Sequence, residues 1–138
     1  YGLILLETEK MVKKEISQGF RLTTNNRMEL MAVCVALETL KFTKTEITIF
    51  TDSKYVVDAV EKRWVFGWVK KGFKGKKNED LWRRFLEVHK IHNVKFQWVK
   101  GHAGNIWNER ADQLAVGAAN NPANFKIDSY FEMNQNEE

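Results

Sequence analysis

Ile47-Thr48-Ile49-Phe50-Thr51-Asp52-Ser53 decides how this chain reads. Its first residues form a strand of period two, and Ser53 then caps a short helix from Lys54 to about Lys62. A strand feeding straight into a helix is the unit from which α/β folds are built. Asp52, at the strand's carboxyl end, stands where open α/β sheets place their ligands.

The segments on either side keep the α/β order. Upstream, residues 1–7 and roughly 12–22 are two extended segments joined by the polar turn Glu7-Thr8-Glu9-Lys10, a hairpin pattern. Thr23-Thr24-Asn25-Asn26 supplies capping chemistry for a helix running to about Leu40. Downstream, Asn78-Glu79-Asp80 opens a helix whose apolar stripe is Leu81, Trp82, Phe85 and Leu86, and Val94, Phe96 and Trp98 alternate as a further strand. The Gly-flanked loop Gly101-His102-Ala103-Gly104 leads to Asn108, expected to cap a last helix with Ala111, Leu114, Ala115 and Ala118 as its stripe. From Asn120 the chain is polar and is expected to be loosely held.

With 138 residues the simplest organisation is one domain over residues 1–125 and a polar tail over 126–138. The longest wholly apolar run, residues 30–37, is far too short to span a membrane, and no charged-then-apolar leader precedes it. Cys34 is the one cysteine and sits in that apolar run, so a buried, inert thiol in a reducing cytoplasm is expected. The net charge of +4 is local. Residues 61–77 carry Lys62, Arg63, Lys70, Lys71, Lys74, Lys76 and Lys77 against Glu61 alone, a net of +6 that leaves −2 elsewhere. Interleaved with these cations are Trp64, Phe66, Trp68 and Phe73, flat groups able to lie against sugars or bases while lysines neutralise phosphates. The competing reading is a solvated helix pair whose aromatic residues pack inward.

Three carboxylates sit where stability alone would not put them: Glu29 in Met28-Glu29-Leu30-Met31, Asp52 at its strand end, and Asp112 beside the last helix's stripe. An ionised carboxylate near a core is costly unless paired, hydrogen-bonded or bound to metal. Helix dipoles would favour Glu29 and Asp112 early in their helices. Clustered acids with few local cations suit hard, oxygen-seeking ions such as Mg²⁺, which phosphate chemistry commonly uses in pairs.

Thr23-Thr24-Asn25-Asn26-Arg27-Met28-Glu29-Leu30, Thr51-Asp52-Ser53, Trp98-Val99-Lys100-Gly101-His102-Ala103-Gly104 and Asn108-Glu109-Arg110-Ala111-Asp112 together resemble the signature blocks of type 1 ribonuclease H. The resemblance covers residues 1 to about 130 in order, and the segment at about 62–77 is similar to the basic handle of the bacterial enzymes. It implies an α/β fold with a mixed five-stranded sheet flanked by helices. It also implies hydrolysis of the RNA strand of an RNA–DNA hybrid by a monomer using two Mg²⁺ or Mn²⁺ ions, leaving a 5′-phosphate and a 3′-hydroxyl.

By position Glu29, Asp52 and Asp112 match metal ligands, and His102 matches a histidine that helps proton movement or product release. Thr24 and Asn78 match a pocket for a DNA phosphate, Asn25 and Asn26 match groups that contact the minor groove and RNA 2′-hydroxyls, and Arg27 beside them is counted with the nucleic-acid-binding residues. Trp64, Trp68, Lys70, Lys71, Phe73 and Lys74 match the handle along the DNA channel, with Phe73 where the bacterial pattern more often has Trp.

One departure stands out. The family pattern has a further, metal-bridging aspartate on a central strand ahead of the match to Tyr1-Gly2. The expectation is therefore that this sequence continues a longer chain supplying that strand, since its neighbours would otherwise have open edges. Without it, folding and cleavage should fail together; the alternatives are that another molecule supplies the segment or that this is a module that binds hybrids without cutting them. An integrase or resolvase of the same fold class fits less well, because neither the Thr-Thr-Asn-Asn block nor the handle belongs to that pattern.

Overall fold

The computed structural model describes residues 1–7, 12–40, 46–99 and 106–134. Along the chain they form β1 (Gly2–Glu7), β2 (Val12–Ser17), α1 (Asn25–Thr39), β3 (Glu46–Thr51), α2 (Lys54–Glu61), α3 (Trp64–Lys70), α4 (Glu79–His89), β4 (Asn93–Trp98), α5 (Ile106–Ala119), a 3-10 turn at Pro122–Asn124, and α6 (Ser129–Asn134). These gather into two compact units, Tyr1–Met28 with His102–Glu138 and Glu29–Gly101. Among the described residues the strands pair as two two-stranded sheets, β1 with β2 and β3 with β4, within the α/β order expected. Among the described residues no further strand bonds to β1 or β3.

In the second unit β3 and β4 run parallel, in register from Glu46↔Asn93 to Thr51↔Trp98. Parallel neighbours need a crossover, and α2, α3 and α4 supply it. Ser53 caps α2 as its sequence suggests, accepting the Val56 amide at 3.3 Å. The Glu61 carboxylate at the end of α2 accepts the Phe96 amide of β4 at 2.9 Å, fixing helix to strand. Leu30, Val33, Cys34 and Leu37 of α1 are buried at helical spacing, as are Leu81, Trp82, Phe85 and Val88 of α4.

Trp82 is the hub of this unit. It is fully buried, with Tyr55, Trp68 and Phe85 packed against it at centroid separations of 5.8, 6.0 and 5.7 Å. Such edge-to-face contacts add to the large apolar burial of an aromatic ring. Cys34 is likewise fully buried and donates its S–H to the Leu81 carbonyl at 3.5 Å, while burial pushes its thiol up to about 12. It is the inert thiol expected.

In the first unit β1 and β2 form the expected antiparallel hairpin, whose turn at residues 8–11 lies outside the described residues. Gly2 has a close-packing role: a Cβ there would strike the Ala111 carbonyl and Ala115 amide of α5. The stripe Ala111, Leu114, Ala115 and Ala118 is half-buried. Because α5 begins at Ile106, Asn108 lies inside its first turn and does not cap it.

The end of the chain departs from expectation, since residues 120–134 are tied down. Lys126 bonds Gly19 and Arg21 through backbone groups at 3.0 and 3.1 Å, and Arg21 pairs with Glu132 at 2.6 Å. Asp128 is buried and pairs with the equally buried Arg27 at 2.7 Å. Read along the sequence this stretch is polar; its partners lie about a hundred positions away, where local pattern carries no signal.

Burial alone would raise the Asp128 carboxyl, but bonds from Arg27, Thr23 and the Phe131 amide outweigh it and hold the group below its ordinary 3.8. A carboxyl so depressed stabilises the fold above that value and loses the contribution as pH falls through its lower folded-state value. The thermal midpoint should therefore drop more steeply below pH 3.8 in the wild type than in Asp128→Asn. Parallel acid limbs in the two proteins would contradict this.

Candidate nucleic-acid interface and metal ligands

The start of α1 presents three exposed polar side chains in a row, Thr24, Asn25 and Asn26. The Thr24 hydroxyl accepts the Arg27 amide at 3.2 Å, which caps the helix and leaves its own proton to donate outward. Among the described residues the amides of Asn25 and Asn26 make no hydrogen bond. Arg27 does not join them. It is 2% exposed, its Nε and an Nη donate to Asp128 at 2.7 and 2.9 Å, and its guanidinium lies 5.1 Å from the Tyr130 ring centroid. Buried and committed in this way, it holds the fold and is removed from the expected nucleic-acid contacts.

Asp52 follows the last residue of β3 and is half-buried. Its backbone carbonyl accepts the Trp98 indole N–H at 3.2 Å, and Lys54 lies 4.7 Å over the Trp98 ring. The carboxylate itself has no hydrogen bond or ion pair among the described residues. Glu29 is half-buried in α1 and Asp112 is exposed in α5. They are the fifth and seventh residues of those helices, past the first turn where the dipole acts, so its expected support is small.

Glu29 and Asp52 belong to the second unit and Asp112 to the first, and His102 lies outside the described residues. Among the described residues no group of three or more His, Cys, Asp or Glu side chains that could hold a metal ion is found. In donor type, carboxylate oxygens without thiolate or imidazole suit a hard cation such as Mg²⁺ or Mn²⁺.

The handle is built on left-handed turns. Arg63 (φ 61°) opens α3, and Gly72 (φ 63°) closes it in a Schellman motif, with the Phe73 amide on the Trp68 carbonyl at 2.8 Å and the Gly72 amide on that of Val69 at 3.0 Å. Lys70, Lys71 and Lys74 are exposed and make no ion pair among the described residues.

The aromatic residues divide between the two readings of this segment. Phe73 is 3% exposed, with Arg83 5.0 Å over its ring, so it packs and cannot stack on a base as expected. Phe66 lies against His89, whose imidazole is held below its usual value by burial and by Arg63. Trp68 turns one edge to Trp82 while Lys76 sits 5.2 Å from its ring. Trp64 is 48% exposed. Between the two tryptophans opens a pocket of about 460 Å³, rimmed by Arg63, Lys71, Lys74 and Lys76.

Asn78, in the left-handed region just before α4, donates its amide to the Tyr55 hydroxyl at 3.0 Å, and the Trp82 indole donates to the same oxygen at 2.9 Å. Tyr55 therefore anchors Asn78. The sequence held no sign of this, because the two lie in different elements.

A model of the RNase H family matches residues 1–120. The chain belongs to the ribonuclease H family. It is 54% identical over 127 residues to a ribonuclease H of Desulforamulus reducens, covering 88% of this chain and 78% of that relative. With a ribonuclease H of Trichodesmium erythraeum it shares 49% over 124 residues, or 86% and 77% of the two chains. Among solved structures it is similar to a type 1 RNase H with the type 2 active-site motif, at a TM-score of 0.64 and 36% identity, covering 81% of this chain and 57% of that one. Its activity is that of the ribonuclease H family, endonucleolytic hydrolysis of the RNA strand of RNA–DNA hybrids, and the family depends on divalent metal. Among the described residues no helix is long and apolar enough to cross a membrane.

If the handle lysines neutralise phosphates, each contact adds about 0.9 to the slope of log affinity against log salt. Replacing Lys70, Lys71 and Lys74 together by Ala should flatten the slope for an RNA–DNA hybrid by about 2 to 3. An unchanged slope would make them a solvated surface only.

Proposed function

We propose that the RNA strand is cut with two divalent cations, Mg²⁺ or Mn²⁺, held by Glu29, Asp52 and Asp112, leaving a 5′-phosphate and a 3′-hydroxyl. The observation that carries this is Asp52, a half-buried carboxylate at the end of a parallel strand pair with no partner among the described residues. A group in that position without a counter-charge is costly unless a cation joins it. Bound metal supplies charge stabilisation at the scissile phosphate and an activated water.

The remaining residues bind and orient. The Thr24 hydroxyl and the Asn78 amide grip a phosphate of the DNA strand, with Tyr55 fixing the amide. Asn25 and Asn26, whose amides are not used by the described part of the protein, read the minor groove and the 2′-hydroxyls that distinguish RNA from DNA. Lys70, Lys71 and Lys74 neutralise the DNA backbone while Trp64 and the open face of Trp68 lie along it. His102 moves a proton or helps release product. The chain works as a monomer in a reducing cytoplasm, where Cys34 stays a thiol.

Asp52→Asn tests the assignment, because the amide keeps the shape and loses the charge. Cleavage should fall by about 100-fold or more, since metal polarisation supplies several kcal/mol, while hybrid affinity stays near wild type. Retained cleavage in that variant would remove Asp52 from the metal site. Tight binding with no cleavage by the unmodified chain at any Mg²⁺ or Mn²⁺ concentration would favour the hybrid-binding module.

A further inference from the structure

We propose that Asp128 is a positioning residue for hybrid binding: its one carboxylate clamps Thr23 and Arg27, the two residues that flank the exposed Thr24-Asn25-Asn26 turn. The inference rests on the reading that this turn contacts the hybrid.

The geometry is specific. Asp128 Oδ2 accepts from the Thr23 hydroxyl and from Arg27 Nε, both at 2.7 Å, and Oδ1 accepts from an Arg27 Nη at 2.9 Å. Both flanks of a three-residue segment are thereby tied to one buried group. The segment between is the cap and first two residues of α1, with the Thr24 carbonyl accepting the Met28 amide at 3.1 Å, and its side chains are exposed. The clamp thus fixes how α1 starts and with it where these side chains point, through three charge-assisted bonds to one buried carboxylate.

The carboxylate is in turn held from behind. Asp128 caps α6, with Oδ1 accepting the Phe131 amide at 3.3 Å and its carbonyl accepting the Glu132 amide at 3.0 Å. Glu132 then pairs with Arg21, and Lys126 bridges to Phe20, so the segment is secured on both sides of Asp128. In this arrangement residues 126–134 form a strap around a single acid, and the strap is part of the substrate-binding apparatus. Preorganising the turn saves the ordering of exposed amides when the hybrid arrives, which is a gain in binding more than in chemistry.

The test measures KM and kcat for an RNA–DNA hybrid with the full chain, well below the unfolding transition of each variant. Thr23→Val removes one clamp bond and leaves the ion pair; Asp128→Asn weakens both sides. Each should raise KM, Asp128→Asn by roughly tenfold, with kcat near wild type. A merely structural role would lower the thermal midpoint and the active fraction, so that kcat falls while KM stays put; that result would overturn the proposal.

Asn26→Ala separates this failure from failure of the underlying reading. If it raises KM while Thr23→Val and Asp128→Asn do not, the turn binds hybrid and Asp128 does not position it. If Asn26→Ala leaves KM unchanged, the turn is not a hybrid contact and the proposal falls with that reading. Should Asp128→Asn fail to fold, Thr23→Val decides alone: an unchanged KM there is a refutation.

Discussion

A carboxylate withdrawn from water must be answered by hydrogen bonds, a counter-charge or a cation, and this chain meets that demand in two different ways. At Asp128 the protein answers it internally, with Arg27, Thr23 and a helix amide converging on one group. At Asp52 the described part of the protein leaves the carboxylate without a partner, although the backbone around it is fixed by the Trp98 indole and by the parallel pairing of β3 with β4. The first arrangement is a joint closed by the protein's own groups, proposed above to position the start of α1. The second leaves a carboxylate open to what substrate or solvent brings, the place we assign to a divalent cation.

The handle depends on the core beneath it. Lysines projecting from short left-handed turns would not hold a fixed pattern unless the turns were anchored, and Trp68 and Phe73 do the anchoring, one against Trp82 and the other nearly fully buried. The same Trp82 reaches Tyr55, which holds Asn78. One buried indole thus links the lysine-bearing segment to the amide assigned to phosphate binding. Truncating it would remove about 3–5 kcal/mol of packing and loosen both features together.

The α/β order was legible because it rests on local pattern: period-two alternation in Ile47 to Thr51, helical spacing in Leu81 to Val88, and a serine in front of α2. Cys34 was legible for the same reason. What the sequence hid depends on long-range pairing. Arg27 sits among exposed polar neighbours and looks like a nucleic-acid contact until Asp128 arrives from the far end of the chain. Phe73 looks like a stacking group until Gly72 turns the backbone and buries its ring. The carboxylates were visible as acids placed where stability alone would not put them, and their role as metal ligands is the one we propose for them.

The central claim is that Asp52 awaits a cation while Asp128 has already been neutralised by protein. Binding of Mn²⁺ to the full chain, read by the relaxation of water protons, tests it without relying on cleavage. The account predicts saturable Mn²⁺ binding in the wild type, retained in Asp128→Asn and lost or sharply weakened in Asp52→Asn. Equal Mn²⁺ binding by the wild type and Asp52→Asn would contradict it.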